Sequence, residues 1–569
     1  MIRRLSIGIA LALAIACALV PAAAHAAATK MDPLNPLVSA PASQTVPPKG
    51  FTVNAIQAKG IASRLEVARK LGRRHRDMRV KAWVWDHQAW AVDFYRGGKT
   101  YLEVFETPTG HVAISYTGIK AQYIQARMRF AGLFDSPWVF IPFGLMFLLP
   151  FVDPRRPFRL LHLDLLVLMS FFASYGVLAR GHAEAGVMLV YPVLLYLLGR
   201  MLWSGLRRRT RPRGRVVPVL PTAVLVVGLV ALIGARVGLN LASDKVMDIG
   251  YASVVGADRI EHQQPLYVQN DGHGDTYGPV DYLAYIPFEL AFPWHGHWDY
   301  LPSAHAATLF FDLMTLLGLF LLGREMRAGP EGRRLGLALA WGWAAFPFTL
   351  LGLIMNTNDG LVAMLVVYAL LFYKRSPGAR GLLLGVAAAA KFFTLALLPL
   401  FASGRDVGGR RRAAQIALAG IGVFVLVFAF FIPDGGVREV WNCTLGYQLT
   451  RPPDFSIWEI YDGIGWIARV LEVLAVVLAV AVAFFPRRRS FAQLCALGAA
   501  VTIALQIPAG HWFYFYIMWF LPLVLVALFA PETESGEGAP HLRRSTPSLT
   551  WRAAEAPRAG AAQRAVERC

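Results

Sequence analysis

Residues 247–267 read MDIGYASVVGADRIEHQQPLY, and residues 274–293 read GDTYGPVDYLAYIPFELAFP. Both lie in a segment from Leu241 to Pro302 that directly follows an apolar run and is too polar to cross a bilayer. It carries Asp244, Asp248, Asp258, Glu261, Asp271, Asp275 and Asp281, together with His273. Charge held against a membrane edge is costly, so by default it marks a working site. The rest of the chain is read as the frame that holds this loop on one membrane face.

The composition gives that frame its class. The chain has 569 residues, of which 56% are hydrophobic and 16% charged, and its mean hydropathy is +0.46. These values describe a polytopic α-helical membrane protein. The net charge of +20 would suggest a nucleic-acid partner in a soluble chain. Here the basic residues sit in short loops between apolar runs: DPRRPFR, GLRRRTRPRGR, GREMRAGPEGRR, YKRSPGAR and FPRRRS. That is the positive-inside pattern, and no nucleic-acid partner is expected. Four cysteines, at 17, 443, 495 and 569, build neither a disulfide framework nor a zinc cluster.

Residues 1–26 read as a secretory leader, with Arg3-Arg4, an apolar core and a small-residue site at Ala24-His25-Ala26. Residues 27–50 read as a linker. Residues 51–131 read as a small extracytoplasmic α+β unit: helical spacing over NAIQAKGIASRLEVARKL, then alternating strands with turns at Gly97-Gly98 and Thr109-Gly110. The strand pattern WAVDFYRGGKTYLEVFETPTGHVAISYTG resembles the PepSY domain, which implies a helix against three or four antiparallel strands. Asp86, His87 and Asp93 read there as solvated strand residues.

About eleven spans are expected between residues 137 and 530. Residues 137–215 form an additional transmembrane block, 216–530 the main membrane unit with outer loops 241–302 and 433–460, and 531–569 a cytoplasmic tail. Residues 381–402, GLLLGVAAAAKFFTLALLPLFA, fit either one span or a re-entrant pair of half-helices broken near Lys391. Only the re-entrant form keeps the basic stretch GRDVGGRRR inside, so the charge rule favours it.

Asp248, Tyr251, Val255 and Asp258 follow helical spacing and are expected on one face of a surface helix. A carboxylate there can take a proton from an attacking hydroxyl. An unpaired ammonium at Lys391, inside an apolar segment, is costly, so Lys391 reads either as a cation with an anionic partner or as a lysine snorkelling at the membrane edge. Asn358 and Asp359 open the next span, as helix cap or as ligand. Trp441, Tyr447, Trp458 and Tyr461 fit an interfacial belt or sugar-stacking platforms. Asp244 and Asp248, four apart, could share a divalent ion, but no strong ligand spacing accompanies them, so no metal or other cofactor is expected.

Pro265-Leu266-Tyr267, Thr276-Tyr277-Gly278-Pro279, Asn356-Thr357-Asn358-Asp359 and the Gly-rich run ending in Lys391 and Leu397-Leu398-Pro399 occur in an order similar to membrane glycosyltransferases of superfamily C, most of all family 87. The resemblance covers about residues 216–530. Two departures are Gly278, where proline is common, and the block before residue 216. The resemblance implies an inverting transfer of a sugar, mannose among the candidates, from a polyprenyl-phosphate donor to a glycolipid or glycan acceptor. It implies action on the outer face of a bacterial cytoplasmic membrane. Asp248 is then the general base and Asp258 an acceptor-positioning carboxylate. Lys391, Arg259, Lys245, His273 and Arg451 are the candidate donor-phosphate partners. Asp275, Tyr277, Asn358 and Asp359 are the candidate sugar or acceptor contacts. The alternatives are a flippase or transporter of lipid-linked saccharide, which should show internal repeats, and an envelope sensor, which leaves the loop carboxylates unexplained.

Overall fold

The computed structural model describes residues 38–39, 41–85, 89–96, 99–118, 121, 132–180, 182–207, 220–267, 276–296, 298, 300–450, 455–461 and 463–530. Asp86, His87, Asp271, His273, Asp275, Arg451, the leader and the tail lie outside them.

The N-terminal unit consists of β1 (Val38–Ser39), α1 (Ala55–Ser63), α2 (Glu66–Arg74), β2 (Arg79–Trp85), β3 (Ala89–Arg96), β4 (Lys99–Glu106) and β5 (Val112–Thr117). The strands pair antiparallel in the order β1-β2-β3-β4-β5. Alternation along the strands sends Trp90, Val92, Phe94, Leu102 and Val104 to a core shared with Phe51, Ala55, Ala58 and Ala62. Asn54 and Gln57 form a reciprocal capping box that starts α1. Two helices and five strands replace the single helix and three or four strands expected. The stretch read as linker also contributes, since Val38 and Ser39 pair with Trp85 and Val84. Backbone pairing alone makes that edge, so side-chain alternation could not announce it.

Glu103 is 4% exposed, and burial pushes its carboxyl up to about 9 from 4.5, with the charge of cross-strand Asp93 adding to it. Its native pKa is raised, so the native unit gains stability below about 4.5 and loses it as pH climbs toward about 9. Glu103→Gln should therefore raise the unit's melting temperature by several degrees at pH 8 and flatten its pH dependence, as calorimetry would read. An unchanged slope would remove Glu103 as the cause.

The membrane unit contains α3 (Pro137–Leu148), α4 (Leu160–Met169), α5 (Phe171–Ala179), α6 (Ala183–Leu206), α7 (Thr222–Ala242), α8 (Asp248–Glu261), α9 (Pro279–Leu283), α10 (Ile286–Glu289), α11 (Pro302–Met326), α12 (Gly329–Ala345), α13 (Pro347–Ile354), α14 (Asp359–Leu371), α15 (Pro377–Ala390), α16 (Leu398–Ala402), α17 (Arg410–Phe430), α18 (Val437–Cys443), α19 (Leu445–Thr450), α20 (Ile457–Ile460), α21 (Gly465–Phe484), α22 (Phe491–Gln506) and α23 (Ile517–Phe529). Among the described residues, six helical stretches are long and apolar enough to cross a membrane, or seven if α12 and α13, bent by 58°, count as one. The other four of the eleven expected spans fall on shorter apolar helices. Helices α3, α14, α22 and α23 have 12, 13, 16 and 13 residues. At 1.5 Å per residue they fall short of a hydrocarbon core of about 30 Å.

The additional block is not peripheral. Ser174 and Tyr514 hydroxyls lie 2.6 Å apart, Trp341 donates to Met146 O at 2.8 Å, and Gly205 packs against Leu497. Inside the block, buried Arg200 donates from Nε to Asp164 at 2.8 Å, and Tyr196 donates to the same carboxylate at 2.9 Å.

The basic loops meet at one end of the bundle. Arg334 donates to Leu220 O, Gln493 to Arg207 O, Arg375 to Glu325, and Arg405 N to Arg487 O. The segment from α15 to α16 leaves this end and returns to it. Arg489 donates to Leu400 O and Ser403 O, its charge acts on Arg380 at the start of α15, and Tyr373 touches both Phe401 and Phe491. Lys391 is the turning point, with an extended backbone between α15 and a 3₁₀ turn at Phe392–Leu397. Helix α15 has 14 residues and its neighbour α14 has 13, so each limb runs about 20 Å, and Lys391 ends level with Asp359. A cysteine at Gly408 should therefore resist an impermeant thiol reagent applied outside, in a variant lacking the native cysteines, while one at Gly436 reacts. External labelling at Gly408 would contradict the hairpin.

Candidate functional site

At the opposite end from the basic loops, four elements converge. The turn between α13 and α14 supplies Asn356, Thr357, Asn358 and Asp359, all fully buried. Asn356 holds a left-handed φ of 51°, which asparagine tolerates better than most residues. Its amide donates to Lys245 O at 2.8 Å, and its carbonyl side-chain oxygen accepts from Asn240 at 2.8 Å. Met247 N then donates to Met355 O at 2.9 Å, which lays the start of α8 on this turn. Gly250 makes the approach possible, because a Cβ there would stand 2.1 Å from Asn356 O.

Asn358 occupies the N-cap position of α14 without making a capping bond. Its amide donates instead to Asp281 Oδ2 at 2.8 Å and to Ser253 Oγ at 3.1 Å. Ser253 Oγ donates to the same Asp281 oxygen at 2.7 Å. Asp281, in α9, is fully buried, and burial pushes its carboxyl up to about 6, against the pull of Lys391. Asp359 accepts through Oδ1 from Lys391 Nζ at 2.5 Å and from Trp519 Nε1 at 2.8 Å. Lys391 is 8% exposed. Its ammonium lies 5.2 Å from the ring centres of both Tyr277 and Trp519, a cation–π geometry.

Tyr277 joins these groups. Burial, then the charges of Asp248, Tyr516, Asp281 and Asp359, push its phenol well above its ordinary value. Its backbone is held on both sides: Tyr267 OH donates to Tyr277 O at 3.1 Å, and Tyr277 N donates to Tyr282 OH at 3.2 Å. The second outer loop closes on the same tyrosines, with Val440 in their cluster and Cys443 Sγ donating to Tyr267 O. Gly278 seats Tyr277 on the hairpin tip. Gly278 N donates to Ala390 O at 3.1 Å, and a Cβ at Gly278 would stand 1.9 Å from Ala389 O. A proline would lose that bond and meet that oxygen, so the glycine is what this packing requires.

Of the residues expected from sequence, Asp248, Tyr277, Asn358, Asp359 and Lys391 come together. Asp248 opens α8, is exposed, and accepts from Ile249 N at 2.9 Å. Lys245 lies nearby with its amine lowered by burial, 3.8 Å from Asp244. Asp258 and Arg259 do not join. Ten residues separate Asp258 from Asp248, a rise of about 15 Å along α8, and Asp258 faces His262 at 3.2 Å and the Glu289 carboxylate. The shared helical face expected for Asp248 and Asp258 did not bring them to one place. Sequence reading missed Asp281, Ser253 and Trp519. An anionic partner for Lys391 was one reading of the sequence, but the burial of Asp281 on a five-residue helix was not legible. Among the described residues, no three His, Cys, Asp or Glu side chains gather as a metal-binding group.

Arranged this way, an exposed carboxylate at the start of α8 and a buried ammonium at the hairpin tip both act on one tyrosine. Together they can hold an anion and take a proton. No curated protein matches the chain. Residues 276–509 match the family model described as Glycosyltransferase family 87, and on that match the chain is a membrane glycosyltransferase.

Proposed function

We propose that the protein transfers a sugar, mannose being the first candidate, from a polyprenyl-phosphate donor to a glycolipid or glycan acceptor. The transfer takes place on the outer face of a bacterial cytoplasmic membrane and inverts the anomeric centre. The observation that supports this reading is the Lys391 ammonium, buried at a hairpin tip beside Asp359, Tyr277 and Trp519. A buried cation at the end of an otherwise apolar hairpin suits a lipid phosphate entering from the bilayer. The leaving group is already a stable phosphate anion, so it needs a cation more than a proton. The acceptor hydroxyl is the weak nucleophile and needs a base. Asp248, exposed at the first turn of α8, takes that proton as the hydroxyl attacks the anomeric carbon from the face opposite the phosphate.

The test uses the purified full chain with radiolabelled polyprenyl-phosphate mannose and total membrane lipid as acceptor. Label should pass from the donor to a new lipid or glycan. Transfer from a nucleotide sugar but from no polyprenyl-phosphate sugar would overturn the reading.

A further inference from the structure

Three fully buried residues beside Lys391 each leave one oxygen without a donor among the described residues: Asp281 Oδ1, Asn358 Oδ1 and Asp359 Oδ2. Their other polar atoms are fully committed. Asp281 Oδ2 accepts from Ser253 and Asn358, and Asp359 Oδ1 accepts from Lys391 and Trp519. The Asn358 amide cannot be reversed to satisfy its oxygen, because that would aim the oxygen at the Asp281 carboxylate and the Ile249 carbonyl. Buried groups of this kind are normally paired, and an unpaired one costs its full desolvation. The residues are contiguous: Asn358 bonds Asp281 directly and precedes Asp359 in the chain.

All three orphaned atoms are acceptors, so what they receive brings donor hydrogens or a cation. A phosphate brings only acceptors near neutral pH and is repelled by two carboxylates. A sugar hydroxyl brings a donor hydrogen, and neighbouring hydroxyls on one ring bring several at once. We propose that Asp281, Asn358 and Asp359 form the subsite for the ring hydroxyls of the transferred sugar, next to the Lys391 position that takes its phosphate. The assignment rests on the function proposed above and adds Asp281 as a specificity-determining residue. Ser253 is a positioning residue that acts through Asp281.

Ligand hydroxyls paired with buried charged acceptors give strong discrimination, because an analogue lacking the hydroxyl leaves the acceptor empty. The experiment compares kcat/KM for polyprenyl-phosphate mannose and its 2-, 3-, 4- and 6-deoxy analogues, for the wild type and for Asp281→Asn and Asn358→Ala in the full chain. The wild type should use at least one deoxy donor roughly 10–100-fold less well than the parent. In Asp281→Asn the penalty at one position should shrink several-fold, since a charge-assisted bond to the hydroxyl gives way to a weaker one with a neutral amide. The penalty is a ratio within each variant, so partial misfolding does not alter it, and Asn358→Ala gives a second reading of the same subsite. A wild type that uses every deoxy donor within about threefold of the parent would overturn the subsite while leaving the proposed transfer intact. The same holds if Asp281→Asn keeps every penalty, or if the penalties vanish with EDTA and return with magnesium. Failure of all polyprenyl-phosphate donors would overturn both.

Discussion

Asp248→Asn should lower turnover by about 10²–10⁴-fold, the usual worth of a general base, with expression and donor binding near wild type. The separation of these readouts follows from where the residue sits. Asp248 is exposed on the first turn of α8, and it accepts from the neighbouring Ile249 N–H, a bond that an asparagine oxygen also accepts. An isosteric change at an exposed side chain costs folding little. The charge of Asp248 nevertheless reaches the Tyr277 phenol, whose ring centre lies 5.2 Å from the Lys391 ammonium. Asp258→Asn serves as the internal control. Its carboxylate is about 15 Å further along the helix and is engaged with His262, so turnover should change by less than about threefold. Single-turnover kinetics at saturating donor would separate the chemical step from binding. Wild-type turnover in Asp248→Asn would move the base elsewhere, with Asp281 the nearest alternative.

Lys391→Met should act on binding and stability together. Removing one partner of a buried pair leaves the other charge uncompensated, at a cost of about 3–5 kcal/mol. Asp359 is fully buried, and the Trp519 indole would still donate to it. The melting temperature should fall markedly. The double change Lys391→Met with Asp359→Asn removes both charges and should recover most of that loss. It should not recover donor binding, because no cation then meets the phosphate. Donor affinity and melting temperature measured on the two single variants and the double variant form a cycle that tells these roles apart. If the double variant regained affinity along with stability, Lys391 would be a structural ion-pair partner only.

The membrane class was legible because hydropathy and basic loops follow from the bilayer itself. The lengths of the helices were less so. An apolar run does not reveal where a helix stops, and α14 closes after 13 residues while α22 ends at Gln506, before Ile507-Pro508. The hairpin was legible through one conflict. A single span over residues 381–402 would have put GRDVGGRRR on the wrong side, and Lys391 marked the break. Asn358 illustrates the opposite case. Its position before a helix suggested a cap, whereas its amide is turned to Ser253 and Asp281, elements 105 and 77 residues away in sequence. Such pairings arise from tertiary packing, and local pattern carries no trace of them. Gly278 stood out only as a departure from a family pattern, and the carbonyl of Ala389 supplies its reason.

The central claim is that a lipid phosphate docks on the Lys391 tip. The most direct measurement is photocrosslinking of the full chain with a polyprenyl phosphate carrying a diazirine next to the phosphate, followed by mapping of the labelled peptides. Label should fall on the hairpin tip around Lys391 and on the Tyr277 segment, and unlabelled polyprenyl phosphate should suppress it. Label confined to other segments, in protein that still transfers sugar, would contradict the account.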